Sequence, residues 1–117
     1  MTNEKPKLEI DFNGSKRWYL NGRLHREDGP ACERANGDKC WYLHNKLHRI
    51  DGPAIEYANG DKRWYLNDER HREDGPAAEC TNGDKRWYLH NENVTEKVKK
   101  LMKSGLSEIE ALSFLLL

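Results

Sequence analysis

The stretch that decides the fold is residues 55–77, IEYANGDKRWYLNDERHREDGPA, because it recurs along the chain. The preceding stretch, residues 32–54, shares most of its letters, from Glu33 to the closing Asp-Gly-Pro-Ala. Self-similarity at a fixed period is the sequence signature of a repeat architecture, in which each unit buries apolar surface against its neighbours. The same constant spacing separates the four tryptophans, Trp18, Trp41, Trp64 and Trp87.

The repeat divides the 117 residues into three parts. An N-terminal lead-in covers residues 1–8, and the sequence departs from the repeat after Asn91. Residues 92–117 are therefore assigned to a C-terminal helical segment. Between these ends we predict four β-hairpin units, the last of them partial, over residues 9–31, 32–54, 55–77 and 78–91.

Each unit carries two turn signals that flank strand-like residues. The stretch between them, such as Lys62–Leu66, is rich in residues that favour strands. The second signal lies at positions such as Asn67-Asp68. We predict a mainly β fold: a single-layer antiparallel β-meander of 23-residue hairpin repeats with two strands per unit. A type I′ hairpin turn is expected at the first turn signal of each unit, namely Asn13-Gly14, Asn36-Gly37, Asn59-Gly60 and Asn82-Gly83.

The C-terminal segment changes from a strand-like to a helical period. Asn93 and Glu96 fit a capping box, and apolar residues follow at helical spacing. Gly105 fits a helix stop, and a second capping box, Ser107 to Glu110, opens another helix. We expect this short α-helical cap to cover the open edge of the last strand.

The second predicted helix is apolar on nearly every side. A surface helix normally has one apolar stripe and one polar face, so this helix needs more cover than the last strand provides. We expect a symmetric homodimer, the commonest closed oligomer, with an end cap or an exposed partner site as the alternatives. The expected dimer residues are Leu106, Ile109, Leu112, Phe114, Leu115 and Leu116.

Charge and composition bear on the class of partner. Lys and Arg together number 20, as do Asp and Glu, so the formal net charge is zero, whereas a dedicated polyanion binder shows a basic excess. Basic and stacking residues do stand together in groups such as Lys62–Tyr65, which keeps a nucleic-acid- or nucleotide-binding module as an alternative. A membrane-associated scaffold is a second alternative, although no basic cluster or interfacial helix favours it.

The cysteines predict a cytoplasmic location. Cys32, Cys40 and Cys80 are odd in number and occupy three different positions of the repeat, which favours reduced thiols over a disulfide framework. The polar residues from Met1 to Lys7 also lack the pattern of a signal peptide.

The recurring histidines are interpreted as structural. His25, His48 and His71 lie two strands apart, roughly 10 Å, which is too far for two imidazoles to share a metal ion. No nucleophile–base pair, phosphate loop or paired carboxylate motif accompanies them. We therefore expect no catalytic residue, no metal site and no cofactor, and predict that the chain is not an enzyme.

Trp18–Gly22, His25, Gly29 and Asn36-Gly37 follow one another in the order of a known hairpin repeat. On these residues, over positions 9–91, the unit resembles a MORN (membrane occupation and recognition nexus) repeat. Arg26 and its equivalents stand where that family usually has glycine after the histidine. The Asp-Gly-Pro-Ala signature is similar to a variant found in proteins of bacteriophages and giant viruses.

A regular repeat without catalytic motifs is typical of a binding module, and we expect the partner to be another protein. The viral resemblance implies a host protein as that partner, inhibition of a host defence or regulatory protein, and location in the host cytoplasm. For the arginines we also expect a structural role, in which each pairs with a carboxylate on an adjacent strand. The side chains expected to contact the partner are Tyr19, Tyr42, Tyr65, Tyr88, Arg26, Arg49 and Arg72.

Overall fold

The structure is a computed structural model that describes residues 4–117, so the first three residues of the predicted lead-in lie outside the described part. It confirms a mainly β fold of antiparallel hairpins with two C-terminal helices. The helices are α1 (Thr95–Lys103) and α2 (Glu108–Leu115). The strands are β1 (Lys7–Ile10), β2 (Lys16–Leu20), β3 (Arg23–Leu24), β4 (Cys32–Glu33), β5 (Lys39–Cys40), β6 (Tyr42–Leu43), β7 (Lys46–Leu47), β8 (Ile55–Glu56), β9 (Lys62–Arg63), β10 (Tyr65–Leu66), β11 (Glu69–Arg70), β12 (Ala78–Glu79), β13 (Lys85–Arg86), β14 (Tyr88–Leu89) and β15 (Glu92–Asn93).

The second and third units each contain four short strands, so the prediction of two strands per unit was wrong. One hairpin of each unit joins a main antiparallel sheet with the order β1-β2-β4-β5-β8-β9-β12-β13, and β3 pairs with β2. The other hairpin forms a separate two-stranded sheet, as β10 and β11 do. The division falls at Trp64, whose N–H donates to the Ala77 carbonyl while its own carbonyl accepts from His71 N–H. One tryptophan thus bonds to residues that adjoin two different strands, β12 and β11, and the expected long strand is divided there.

The type I′ turns lie at the second turn of each unit, so their assignment to the Asn-Gly pair at the first turn of each unit was wrong. Such a turn needs positive φ at two successive residues. His44 (φ 48°) and Asn45 (φ 70°) meet this condition, whereas at the Asn-Gly pair only Gly37 (φ 101°) is positive. Gly37 N–H donates to the Arg34 carbonyl, which makes a type I turn followed by a glycine bulge.

The histidine column links each repeat to the next. His71 is 4% exposed, and its Nδ1 accepts the N–H of His90, the first residue of the next type I′ turn, at 2.8 Å. The neutral tautomer therefore carries its proton on Nε2, which lies 2.7 Å from Oε2 of Glu73. Earlier repeats repeat the bond, with Nδ1 of His25 accepting from His44 N–H at 2.9 Å and Nδ1 of His48 accepting from Asn67 N–H at 3.0 Å.

A second column of side-chain acceptors links the Asn-Gly loops. Oγ of Ser15 accepts from Ala35 N–H at 3.0 Å, and Oδ1 of Asp38 accepts from Ala58 N–H at 2.8 Å. One repeat further on, the Thr81 N–H donates to Oδ1 of Asp61 at 2.9 Å. This backbone hydrogen bond is the largest cause that lowers the pKa of the Asp61 carboxyl below its usual value.

The helical cap begins where the fourth unit would continue with its histidine and arginine. Val94 and Thr95 stand one repeat length after His71 and Arg72. The first predicted capping box was wrong, because α1 has Val94 as its N-cap, without a side-chain cap. The second box, Ser107 with Glu110, is confirmed, and hydrogen bonding to Ser107 lowers the pKa of Glu110. The buried core of the cap is made by Trp87, Leu89, Val94, Val98, Ala111 and Leu112.

We predict that His71→Leu destabilises the fold by about 1–3 kcal/mol, because the His90 N–H loses its acceptor. His71→Asn is the matched control, since its Oδ1 can replace Nδ1 as the acceptor. Urea denaturation followed by tryptophan fluorescence measures both variants. Equal losses of stability in the two variants would contradict a role for the Nδ1 hydrogen bond.

Candidate protein-binding face

One side of the ribbon carries the tryptophans of the first three units. Successive strand residues point to opposite sides, so each leucine two positions after a tryptophan shares its side. All of these side chains are half-buried. We call this surface the Trp face and define it by Trp18, Leu20, Trp41, Leu43, Trp64 and Leu66.

An arginine lies over each tryptophan of this face. The guanidinium carbon of Arg49 is 3.9 Å from the centroid of the Trp41 ring. Its nitrogens also donate to Oδ1 of Asp51 (3.2 Å), to the Pro53 carbonyl (3.0 Å) and to Oε2 of Glu56 (2.7 Å). The same stacking distance recurs for Arg26 over Trp18 and Arg72 over Trp64. The predicted partner-binding arginines are therefore engaged within the chain. Arg49 and Arg72 pair with a strand glutamate as expected, whereas the carboxylate partner of Arg26 is Asp28 in its own loop.

The Asp-Gly-Pro-Ala signature is explained by this arginine. A Cβ atom added at Gly52 would lie 2.9 Å from the guanidinium carbon of Arg49. An added Cβ would lie 2.9 Å from the guanidinium carbon of Arg26 at Gly29, and 2.7 Å from that of Arg72 at Gly75. Glycine is needed here because the guanidinium approaches the backbone closely. The constant spacing from Trp to Arg to Gly was the sequence signal for this stack, and sequence reasoning missed it.

Open clefts separate adjacent repeats on the Trp face. The cleft between the first two units has a volume of about 710 Å³ and contains Trp41 and Leu43. The next, about 840 Å³, contains Trp64 and Leu66, and Ile50 borders both clefts with 85% of its surface exposed. The acidic side chains beside the clefts form what we call the acidic rim: Glu27, Asp28, Asp51, Glu73 and Asp74.

In the fourth unit the chain covers the equivalent surface with its own helices. Trp87 and Leu89, the equivalents of Trp64 and Leu66, are 5% and 6% exposed. They pack against Val98 of α1 and Leu112 of α2. The side of the sheet that lies open in units one to three is therefore an apolar helix-packing surface in unit four.

The predicted partner-binding tyrosines lie on the opposite side of the sheet from the Trp face. Burial raises the pKa of both Tyr42 and Tyr65. Tyr88 is 8% exposed, and the guanidinium carbon of Arg70 lies 4.3 Å from its ring centroid. Sequence reasoning had treated the tyrosines and the stacked arginines as one set, but the structure places them on different faces. A single flat partner surface therefore cannot contact both.

The predicted dimer residues also divide into two groups. Leu112 is fully buried in the core of its own chain, and Leu106 and Leu115 pack against that core. Ile109, Phe114 and Leu116 are exposed, and so is the terminal Leu117. Only the exposed group is available for a contact with a second copy.

Within residues 4–117, no three His, Cys, Asp or Glu side chains are grouped so that they could hold a metal ion. Neither α1 nor α2, the two helices of that part, has the length and apolar character to cross a membrane. No protein-family model, curated protein or solved structure matches the chain. The resemblance to MORN repeats accordingly rests on the sequence motifs alone.

We predict that Gly52→Ala costs about 1–3 kcal/mol in unfolding free energy, because the added methyl group displaces the Arg49 guanidinium from Trp41. A double-mutant cycle with Arg49→Ala supplies the control. In the Arg49→Ala background, Gly52→Ala is expected to cost much less. If the two losses simply add, the crowding at Gly52 does not involve Arg49.

Proposed function

We propose that the chain is a non-enzymatic protein-binding module whose Trp face in units one to three receives an apolar segment of another protein. The observation that carries the proposal is the cap, because α1 and α2 occupy the same side of the sheet in unit four. The first three units present the same side of the sheet, with an arginine over each tryptophan where unit four has Thr95. Half-buried tryptophan and leucine side chains in a cleft are typical anchor sites of protein interfaces.

The exposed charges around the clefts favour a partner of opposite charge. The carboxylates of Asp28, Asp51 and Asp74 are 74–88% exposed, whereas the arginines that pair with them have side chains only 20–24% exposed. The outermost charges around the clefts are therefore negative. A partner segment with apolar anchors and flanking Lys or Arg residues is complementary to them, and such complementarity speeds association and selects the partner.

The acidic rim favours a protein over a nucleic acid at this face, because phosphates would meet carboxylates there. A host protein as the target, and inhibition of it, stay predictions from the viral resemblance.

Matched variants test the Trp face once a partner is isolated by photo-crosslinking from position 50. Ile50→Lys is predicted to weaken binding at least about tenfold, because it removes an apolar contact between two clefts and opposes the basic residues expected on the partner. The control is Phe12→Lys, which alters another highly exposed apolar residue, beside the first Asn-Gly turn. Titration calorimetry with the purified partner compares the two. Loss of binding only in Phe12→Lys would place the partner elsewhere.

We also propose that the exposed apolar residues of the tail join two copies of the chain. Replacing Ile109 and Phe114 together with serine is predicted to convert a dimer to a monomer in sedimentation velocity. The thermal unfolding midpoint should change little, because both residues are more than half exposed. Deleting the helix is a poorer test, since it removes Leu112 from the core. A monomeric unaltered protein at high micromolar concentration would contradict this dimer.

A further inference from the structure

The main sheet ends at β13 with an edge that has no partner strand within residues 4–117. In the preceding units the equivalent edge is always completed by the next unit, as β2 is by β4, β5 by β8 and β9 by β12. The fourth unit has no successor, because the chain turns into α1 after β15. β13 is therefore the one strand of its type among the described residues without that second neighbour.

The three completed edges share one pairing rule. Each places a lysine of the edge strand opposite a glutamate of the added strand: Lys16 with Glu33, Lys39 with Glu56, and Lys62 with Glu79. The residue that follows this lysine in each edge strand lies opposite Cys32, Ile55 or Ala78 of the added strand. An alanine precedes it each time, and its carbonyl accepts the tryptophan N–H at 2.7–2.9 Å.

Lys85 stands at the equivalent lysine position of β13. Backbone groups alternate between the two sides of a strand, and Trp64 N–H, two residues after Lys62, points to the added strand. By the same alternation, the N–H and carbonyl of Lys85 face the open side. Trp87 N–H, which a further repeat would bind, donates instead to Oγ1 of Thr95 at 3.0 Å.

A cleft of about 830 Å³ lies between this edge and α1. Its lining includes the four basic side chains Lys85, Arg86, Lys97 and Lys99 and two acidic ones, Asp84 and Glu96. Lys97 is paired with Glu92 at 3.1 Å, and Arg86 is exposed. The cleft combines a free backbone edge with a predominantly basic wall.

We propose that this cleft binds an extended, acidic segment of a partner protein, which adds to β13 as an antiparallel strand with a glutamate opposite Lys85. Strand addition of this kind draws affinity from main-chain hydrogen bonds and specificity from alternate side chains. The chain itself gives the sequence that fits, because three of its own segments of the form Pro-Ala-x-Glu occupy the equivalent edges. This site lies apart from the Trp face clefts and does not depend on them.

A second copy of the chain fits this edge less well. Its β1 is the strand that stands in the equivalent position, since Glu9 and Ile10 precede Cys32 and Glu33 by one repeat length. In the register that the three internal pairings share, β1 of a second copy would place Ile10, and not a glutamate, opposite Lys85. Short edge strands with Lys and Arg also resist pairing between identical chains.

The test uses a synthetic peptide with the sequence of residues 73–83, in which serine replaces the cysteine, and the full ¹⁵N-labelled chain. Saturable amide shifts at Lys85, Arg86 and the first turn of α1 are expected. A peptide with Glu79→Lys should bind about tenfold more weakly, because it opposes like charges. The protein variant Lys85→Glu should reverse that order, and Lys46→Glu, an exposed lysine on β7, should leave it unchanged.

Four results would overturn the proposal. These are the absence of saturable shifts, shifts that spread over the repeats, equal affinity for the two peptides, and unchanged preference in Lys85→Glu. Displacement of the peptide by a short single-stranded oligonucleotide at the same salt concentration would instead identify a phosphate site. Sedimentation that reveals a dimer lost in Lys85→Glu would identify a second copy as the occupant. Failure of Ile50→Lys to affect a partner would leave this proposal standing, because the two sites share no residue.

Discussion

The hydrogen bond from a backbone N–H of one repeat to the histidine Nδ1 of the preceding repeat is the interaction on which the array depends. The molecule is thin, with extents of 52 × 37 × 18 Å, and outside the fourth unit no helix covers its sheet to bury an apolar core. Each type I′ turn also holds non-glycine residues at positive φ, a conformation that costs free energy. In the second, third and fourth units, the imidazole of the preceding repeat offsets that cost, because it accepts the turn N–H and fixes the next repeat in register.

A second interaction within each of the first three units is the arginine that stacks over Trp18, Trp41 or Trp64. A guanidinium stacked on an indole contributes about 0.5–2 kcal/mol, depending on its exposure to water. Here the same group also holds the loop carbonyl of Pro53 and the carboxylates of Asp51 and Glu56. One side chain therefore fixes the loop, covers the aromatic ring and links two strands. This explains why arginine stands after the histidine, where the MORN pattern usually has glycine, and why Gly52 follows three residues later.

The sequence was sufficient to predict the repeat, the hairpins and the C-terminal helices, because each depends on local patterns such as a fixed period or a capping box. The expectation that these helices cover the open edge of the last strand was wrong, because they pack on the Trp side of the fourth unit and leave the edge of β13 open within residues 4–117. The turn types could not be predicted from the sequence. Asn-Gly suits a type I′ turn, but it also suits a type I turn with a glycine bulge, in which only the glycine needs positive φ. His44-Asn45 adopts the type I′ turn because contacts with the preceding repeat support it, namely His25 Nδ1 on His44 N–H and the Leu24 carbonyl on Asn45 N–H.

The candidate sites were predicted less well than the fold, for a geometric reason. Alternation along a strand places Tyr42 opposite Trp41, so separate faces for tyrosine and tryptophan follow from the sequence. The position of Arg49 does not follow, because a loop rather than a strand carries it back over the Trp41 ring. Sequence reasoning also passed over Ile50, which replaces the glutamate of the neighbouring repeats. Its exposure between two clefts becomes evident only when the repeats are placed side by side.

The cap completes one boundary of the array and leaves another open. Val94 replaces the histidine of the repeat and joins the apolar core, while the Thr95 hydroxyl takes the place of the alanine carbonyl on the tryptophan N–H. These two substitutions close the Trp side of the last unit without supplying a strand for β13. The remaining edge carries Lys85 and Arg86, which repel another edge of the same charge. A basic edge of this kind discourages growth by identical chains, yet it still accepts the acidic strand that every earlier repeat receives from its successor.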